Sequence, residues 1–264
     1  DSDTMNELVN TVGRFVRERL RPLEEQVADN DAIPVEIRQE IANLGLFGLT
    51  IPEEYGGLGL NMEEEVRIAL ELGKTSPAFR SLIGTNNGIG SLGLILDGTE
   101  EQKQRYLPRL ATGELISSFA LTEPEAGSDA ASVRTTAKHT ENGYVINGTK
   151  RFITNAPHAG LFTVFARTDA SKPGAQGVSA FLVEAGTPGL SLGPIDRKMG
   201  QKGSHTSDVI LEDCLVPFDA LLGGVENQGF RTAMKTLDRG CLHISSICVA
   251  MAERLIEDSL RYAM

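Results

Sequence analysis

Apolar residues recur along the chain first with a helical period, then with a period of two, then with a helical period again. In residues 3–28, Leu8, Val9, Val12, Phe15, Val16 and Leu20 fall at i, i+3 and i+4 intervals, which predicts an amphipathic helix. Thr4, with Glu7 three residues later, reads as its capping box. Pro34 opens a second helix with the stripe Ile37, Ile41 and Leu44, and Gly45 stops it. Residues 46–60 are rich in Gly and Pro and read as a loop. Asn61 with Glu64 caps a third helix ending at Gly73, Pro77 opens a fourth, strongly apolar one running toward Leu96, and Thr99 with Gln102 caps a fifth carrying Tyr106 and Leu110.

After Gly113 the period becomes two. Segments 115–121, 133–140, 144–153, 161–167, 177–184, 189–192 and 206–212 are short, rich in Val, Ile, Phe and Thr, and separated by turn residues. That spacing predicts an antiparallel β-barrel or sandwich. Asn142-Gly143 marks a two-residue hairpin that sets the loop after Leu121 and the strand end at Phe152–Thr154 in one sheet. Asn147-Gly148-Thr149 reads as a turn or bulge rather than a glycosylation site. From about Asn227 helical periodicity returns with Phe230, Met234 and Leu237. After Gly240 an apolar segment, 242–263, carries Ile244, Ile247, Cys248, Met251, Leu255 and Ile256. Cys241 and Cys248, seven apart, are expected to pack on one helical face. The pattern runs to Met264 without a C-cap, which implies a longer protein. The expected organisation is α+β and multidomain: a helical unit 1–114, a β unit 115–224, and the start of a second helical unit 225–264.

Composition narrows the function. With 41% hydrophobic residues in 264 there is ample material for a core, and a net charge of -11 opposes nucleic acid and anionic membrane surfaces as partners. The N-terminal stretch is acidic and no apolar run approaches the ~20 residues of a membrane span, so the expected location is cytoplasmic, or an organelle after processing. Three cysteines without C-x-x-C spacing and four scattered histidines give no expectation of a disulfide framework or a metal site.

Two stretches could carry chemistry. In residues 119–129, F-A-L-T-E-P-E-A-G-S-D, a short apolar strand gives way to a polar loop. There Thr122, Ser128 and the flexible Gly127 could face a flat, polar or phosphorylated ligand, or merely connect two strands. In residues 88–93, G-I-G-S-L-G matches G-x-G-x-x-G, but no strand precedes it and it falls inside the fourth helix, so close helix packing or a pocket wall is the better reading.

Four segments, 119–129, N-G-T-K-R-F-I-T-N-A at 147–156, M-G-Q-K-G-S at 199–204 and G-F-R-T-A-M-K-T-L-D-R-G at 229–240, together with the helix–sheet–helix order, resemble the acyl-CoA dehydrogenase family of flavoproteins. The resemblance spans the whole chain. It implies FAD as cofactor: backbone groups of Phe119, Ala120, Leu121 and Thr122, with the Thr122 hydroxyl, on the pyrimidine edge of the flavin; Gly127 and Ser128 toward the pyrophosphate or the thioester ligand; Phe152 over one flavin face; Ile153 and Thr154 beside it, Thr154 near N5. It implies Asp238 and Arg239, with Ser128, as substrate contacts.

The implied reaction removes the α-proton of an acyl-CoA with a carboxylate and passes the β-hydrogen to flavin as hydride, giving the 2,3-enoyl-CoA. No catalytic base can be named within the chain: Gly240 occupies the position some members use, and the other lies beyond Met264. Cys241 stands where many members have an arginine. The resemblance further implies an electron-transfer flavoprotein as acceptor, a homo-oligomer (dimer or tetramer), a mitochondrial-matrix location if the source is eukaryotic, and a closing four-helix bundle of which the first helix and part of the second are present. An oxidase or flavin monooxygenase on the same fold, and a flavin-free scaffold subunit, are the alternative readings.

Overall fold

The computed structural model describes residues 2–264. Seven helices come first: α1 (Ser2–Phe15), α2 (Glu24–Asn30), α3 (Val35–Asn43), α4 (Met62–Leu72), α5 (Pro77–Asn87), α6 (Leu92–Asp97) and α7 (Glu100–Ala111). The expected first helix is continuous in direction but not in type. Between α1 and α2 it widens to a π-turn at Val16–Leu20 and tightens to a 3-10 turn at Arg21–Leu23. Pro22 explains the change, because it lacks an N–H and its ring crowds the carbonyl one turn back. Helix α1 already begins at Ser2, so Thr4 lies inside it and is not the N-cap expected of it. The capping boxes at Asn61/Glu64 and Thr99/Gln102 are both present.

The fourth expected helix is two. Helix α5 ends at Gly88, the chain turns through residues 88–91, and α6 restarts at Leu92. The G-x-G-x-x-G stretch is therefore a helix break rather than a helix interior. Its glycines permit close approach: a Cβ on Gly90 would lie 2.2 Å from Ser117 Oγ, and one on Gly93 3.0 Å from Thr232 Cγ2. The loop 46–60 contains two 3-10 turns and drives Leu46, Phe47, Leu49 and Ile51 into the interior.

The sheet comprises β1 (Ser117–Ala120), β2 (Thr136–Thr140), β3 (Gly143–Thr154), β4 (Leu161–Arg167), β5 (Val178–Glu184), β6 (Leu190–Leu192) and β7 (Thr206–Val216). Its order is β1-β4-β2-β3-β7-β6, with β5 also on β4. It is mixed, which corrects the antiparallel expectation. The pairs β2–β3, β3–β7, β4–β5 and β6–β7 are antiparallel, but β4 runs parallel to β1 and meets β2 in parallel. The chain leaves β1, completes the β2–β3 hairpin, and only then returns beside β1 in the same direction. Period-two patterning specifies faces, not partner direction.

The hairpin turn is Glu141-Asn142, one residue earlier than expected, since Gly143 already pairs with Thr140 as the first residue of β3. Gly148, at φ +154, forms the expected bulge: the register shifts between Ile146 and Gly148, and a Cβ would meet Thr135 Oγ1 at 2.3 Å. A second irregularity falls between Lys150 and Ile153, where Phe152 has φ +58.

Helix α8 (Gly229–Ala263) is one uninterrupted helix, not one helix and part of another. Its first half packs through Gly229, Thr232, Ala233 and Thr236, and its middle through His243, Ser246, Ile247 and Ala250. Cys241 and Cys248 are exposed, contrary to the packing role expected of them, because they fall between the buried positions of that helix. One core fills the space among α1, α3, α4 and α5, and another the curled sheet. A third joins α6 and α7 to β4, β5 and Ala233 of α8. Among the described residues, no helix is long and apolar enough to cross a membrane.

Candidate functional site

The loop after β1 is braced from inside. Thr122 O accepts a bond from Arg151 N at 2.8 Å, and Glu123 pairs with Ala126 across a tight turn. The Glu123 carboxylate accepts from Arg134 N at 2.7 Å, from Thr135 N at 3.0 Å and from Lys150 Nζ at 2.8 Å. Lys150 is fully buried and also donates to Leu121 O at 3.2 Å. Burial pushes the Lys150 ammonium down to about 8 against the pull of Glu123. Burial alone would raise Glu123, but Lys150 and the donated hydrogen bonds outweigh it and hold the carboxyl below its ordinary value. Neither residue was singled out from the sequence. The signal was available: Lys150 shares the inward phase of Tyr144 and Ile146 along β3.

Around this brace, Phe119, Leu121, Thr122, Gly127, Ser128, Phe152, Ile153 and Thr154 line one cleft of about 570 Å³. Ala120 does not; it is buried in the sheet core beside Val164. The positive φ at Phe152 turns its ring out of the strand alternation, leaving it 59% exposed with the Arg151 guanidinium 4.7 Å from its centroid. Such a φ is strained for an aromatic residue and marks a position held for a purpose other than sheet packing. A Cβ on Gly127 would meet nothing within 4 Å, so the loop is open there. The opposite wall, missed in the sequence, is Ile89 with Phe230, Met234 and Leu237 of α8. Those three residues had been read only as a helix stripe.

A second cavity, of about 900 Å³, lies between α5, residues 198–206 and α8. It shares Ile89, Thr154 and Leu237 with the first, so the two meet at the end of β3. Asn155, at φ +61, fixes that junction: its amide donates to Ser81 O and Thr85 Oγ1, both at 2.9 Å, tying β3 to α5. Ser118 Oγ donates to Thr154 O at 2.8 Å from the other side. The segment 199–204 contributes Gly200, Gln201 and Ser204, whereas Met199 points to solvent.

Of the expected substrate contacts, Ser128 lies in the first cavity and Arg239 in the second, while Asp238 is exposed and lines neither. Arg239 is engaged: its Nε donates to Glu65 Oε2 at 3.0 Å and its Nη2 to Leu60 O at 3.2 Å. Glu65, 2% exposed, also meets His243 Nδ1 at 2.8 Å through its other oxygen. This buried Glu65–Arg239–His243 cluster was not legible in the sequence.

A helical layer, a curled mixed sheet and a long closing helix, with two cavities meeting at one strand end, constitute the acyl-CoA dehydrogenase fold. The chain belongs to the acyl-CoA dehydrogenase family: residues 2–114 match the model of its N-terminal domain and residues 118–214 that of its middle domain. It is 41% identical to acryloyl-CoA reductase (NADH) of Anaerotignum propionicum, over 94% of this chain and 63% of that protein. It is 38% identical to a subunit of the caffeyl-CoA reductase-Etf complex of Acetobacterium woodii, over 98% of this chain and 68% of that one. Among solved structures, butyryl-CoA dehydrogenase from Megasphaera elsdenii superposes with a TM-score of 0.93 at 32% identity, over 98% of this chain and 68% of that chain. An acyl-CoA dehydrogenase complexed with FAD from Bacillus anthracis gives 0.90 at 38% identity, over 100% and 44%. The chain thus spans roughly two thirds of the length of several relatives.

Proposed function

We propose that the protein is an FAD-dependent acyl-CoA dehydrogenase that converts an acyl-CoA thioester to its 2,3-enoyl-CoA. The observation that supports this most is the meeting of the two cavities at Thr154, since a hydride donor and its acceptor must be in contact while their remaining parts occupy separate sites. The residues of the first cleft suit a flavin: an outward-turned aromatic ring at Phe152, hydroxyls at Thr122 and Ser128, an open Gly127, and an apolar wall from α8. When bound, FAD supplies the two-electron acceptor for the β-hydrogen.

The chain's own residues position and enclose. Backbone groups of 119–122 and the Thr122 hydroxyl would hold the polar edge of FAD, Phe152 would lie against it, and Thr154 would border both ligands where the two cavities meet. Ile89 and Leu237 keep water from the junction. The α-proton goes to a carboxylate outside residues 1–264. Glu65 does not serve, because Arg239 and His243 occupy both of its oxygens.

An electron-transfer flavoprotein as acceptor, a homo-oligomeric state, a cytoplasmic or mitochondrial-matrix location and the division at residues 114/115 and 224/225 belong to the same proposal. Assembly of one relative with an Etf supports the acceptor. The reverse direction, reduction of an enoyl thioester, is a second reading favoured by the acryloyl-CoA reductase relative.

The intact protein is expected to purify yellow, release FAD on denaturation and bleach anaerobically with an acyl-CoA. A colourless protein that takes up no FAD refutes the proposal. Fast oxygen consumption with little reduction of an artificial acceptor would instead identify an oxidase.

A further inference from the structure

At one place in the sheet two residues stand opposite one. Lys150 pairs with Val209 and Ile153 with Ser207, so Arg151 and Phe152 of β3 together face Asp208 of β7. A bulge of this kind bends its strand and re-aims a side chain, and bulges recur next to functional sites. Here the re-aimed residue is Phe152, whose φ of +58 turns it to the cleft beside Thr122 and Gly127. The backbone is tied on both strands: Arg151 N donates to Thr122 O at 2.8 Å, and Asp208 O accepts from Gly193 N at 3.0 Å.

The side chains of the bulge are coupled as well. Arg151 Nη1 donates to Asp208 Oδ2 at 2.8 Å, and the same guanidinium lies 4.7 Å from the centroid of the Phe152 ring. An arginine side chain has many rotamers, and an aromatic contact at the surface is too weak to select one; the carboxylate across the bulge selects it. Asp208 is itself confined, with 21% of its side chain exposed and Gly193 so close that a Cβ there would lie 3.2 Å from Asp208 Cβ. Arg151 does not line the cleft, and its charge reaches an occupant across the Phe152 ring.

This pair has a direction: its positive end lies at the ring and its negative end across the bulge on β7. The neighbouring Lys150 is already matched by Glu123 and adds little net charge. In the proposed reaction the β-hydrogen departs as hydride, two electrons with one proton, and leaves a negative charge on a flavin that was neutral; the α-proton goes to the carboxylate base. A fixed cation beside the cleft stabilises the charged product of that transfer far more than its neutral precursor.

We propose that Arg151, clamped by Asp208 across the bulge, is a positioning residue that acts through Phe152 to favour reduced over oxidised flavin. The inference rests on the flavin-dependent reading above and adds a control on the flavin's readiness to accept hydride. Asp208 has a double part in it: it fixes the guanidinium at the ring, and its own charge partly offsets that of Arg151.

The test compares the intact, FAD-loaded protein as wild type, Arg151→Met, Arg151→Lys and Asp208→Asn, reading the flavin midpoint potential by equilibrium titration against a reference dye, with the Tm of each variant alongside. At a fixed ambient potential, Arg151→Met is expected to lower the ratio of reduced to oxidised flavin by about 2–10-fold, and Arg151→Lys by less. Asp208→Asn keeps an acceptor for the guanidinium but removes the offsetting charge, so it is expected to shift the ratio the opposite way. A clamp that merely orients the ring would move Arg151→Met and Asp208→Asn in the same direction, and that result overturns the proposal. So do variants whose potentials equal that of wild type, whatever their Tm. A wild type that binds FAD and is bleached by an acyl-CoA while these shifts are missing leaves the flavin-dependent reading standing and refutes this inference alone. A wild type that takes up no FAD overturns both.

Discussion

Lys150 carries more of the candidate site than its place in a β-strand suggests. Its ammonium and the Glu123 carboxylate hold the loop 122–135 against β3, with no solvent to share the load. Lys150→Met is therefore expected to lower stability by about 3–5 kcal/mol in denaturant titrations, because Glu123 would remain buried without its cation. Adding Glu123→Gln should recover part of the loss, as the remaining partner is then neutral. The same pair has a pH signature. The folded-state value of Glu123 lies below its ordinary 4.5, so its contribution is complete above that pH and is lost as pH falls through the depressed value. Midpoints measured at pH 7 and at successively lower pH should show stability declining below about 4.5. At the alkaline end, Lys150 releases its proton near 8 when folded and near 10.5 when unfolded, so its own contribution rises with pH across that interval. Sequence patterning could mark Lys150 as inward but not supply its partner, which lies across the sheet in another segment.

Helix α8 shows what periodicity can and cannot define at the scale of an element. Its apolar stripe predicts a helix through Phe230, Met234 and Leu237, with a further apolar segment after Gly240 that the resemblance assigns in part to a second helix. The helix continues because an interior glycine costs only about 1 kcal/mol, less than the packing on either side returns. The distal turns differ: Leu255, Ile256 and Leu260 are 64%, 61% and 57% exposed, although Leu255 and Ile256 were counted in the apolar segment. In this 264-residue chain, amide hydrogen exchange should be slow through residues 232–250, where α8 lies on α4, α6 and β5, and fast beyond residue 255. Uniform protection to the C-terminus would contradict that gradient. Local chemistry is more legible. The capping box at Asn61 is written in adjacent residues, and Asn61→Ala should cost about 0.5–2 kcal/mol in thermal or chemical unfolding.

At the scale of the whole molecule, the helical and β parts are not independent bodies. Their shared core joins Tyr106, Leu107 and Leu110 of α7 to Phe165, Val178 and Leu182 of the sheet and Ala233 of α8. Gln102 ties the same surfaces with polar bonds: it donates to Asp219 O and Leu221 O, both at 2.8 Å, and accepts from Gly223 N at 3.0 Å. The order of helices and strands was legible in the sequence because each element signals itself locally. The cavity walls were not, because Ile89, Arg80 and His243 acquire their meaning only when distant helices face one strand end. That shared construction sets the thermal behaviour. Calorimetry should show one cooperative transition rather than separate helical and β transitions, since neither part can open without exposing the common core. On the proposed function, FAD fills a cleft built from β1, β3 and α8 together, so it should raise that single midpoint as a unit. FAD at 100 times its dissociation constant adds about 2.7 kcal/mol. If FAD instead splits the transition in two, moving only the part that contains the sheet, the two parts are energetically separable and the common core does not couple them.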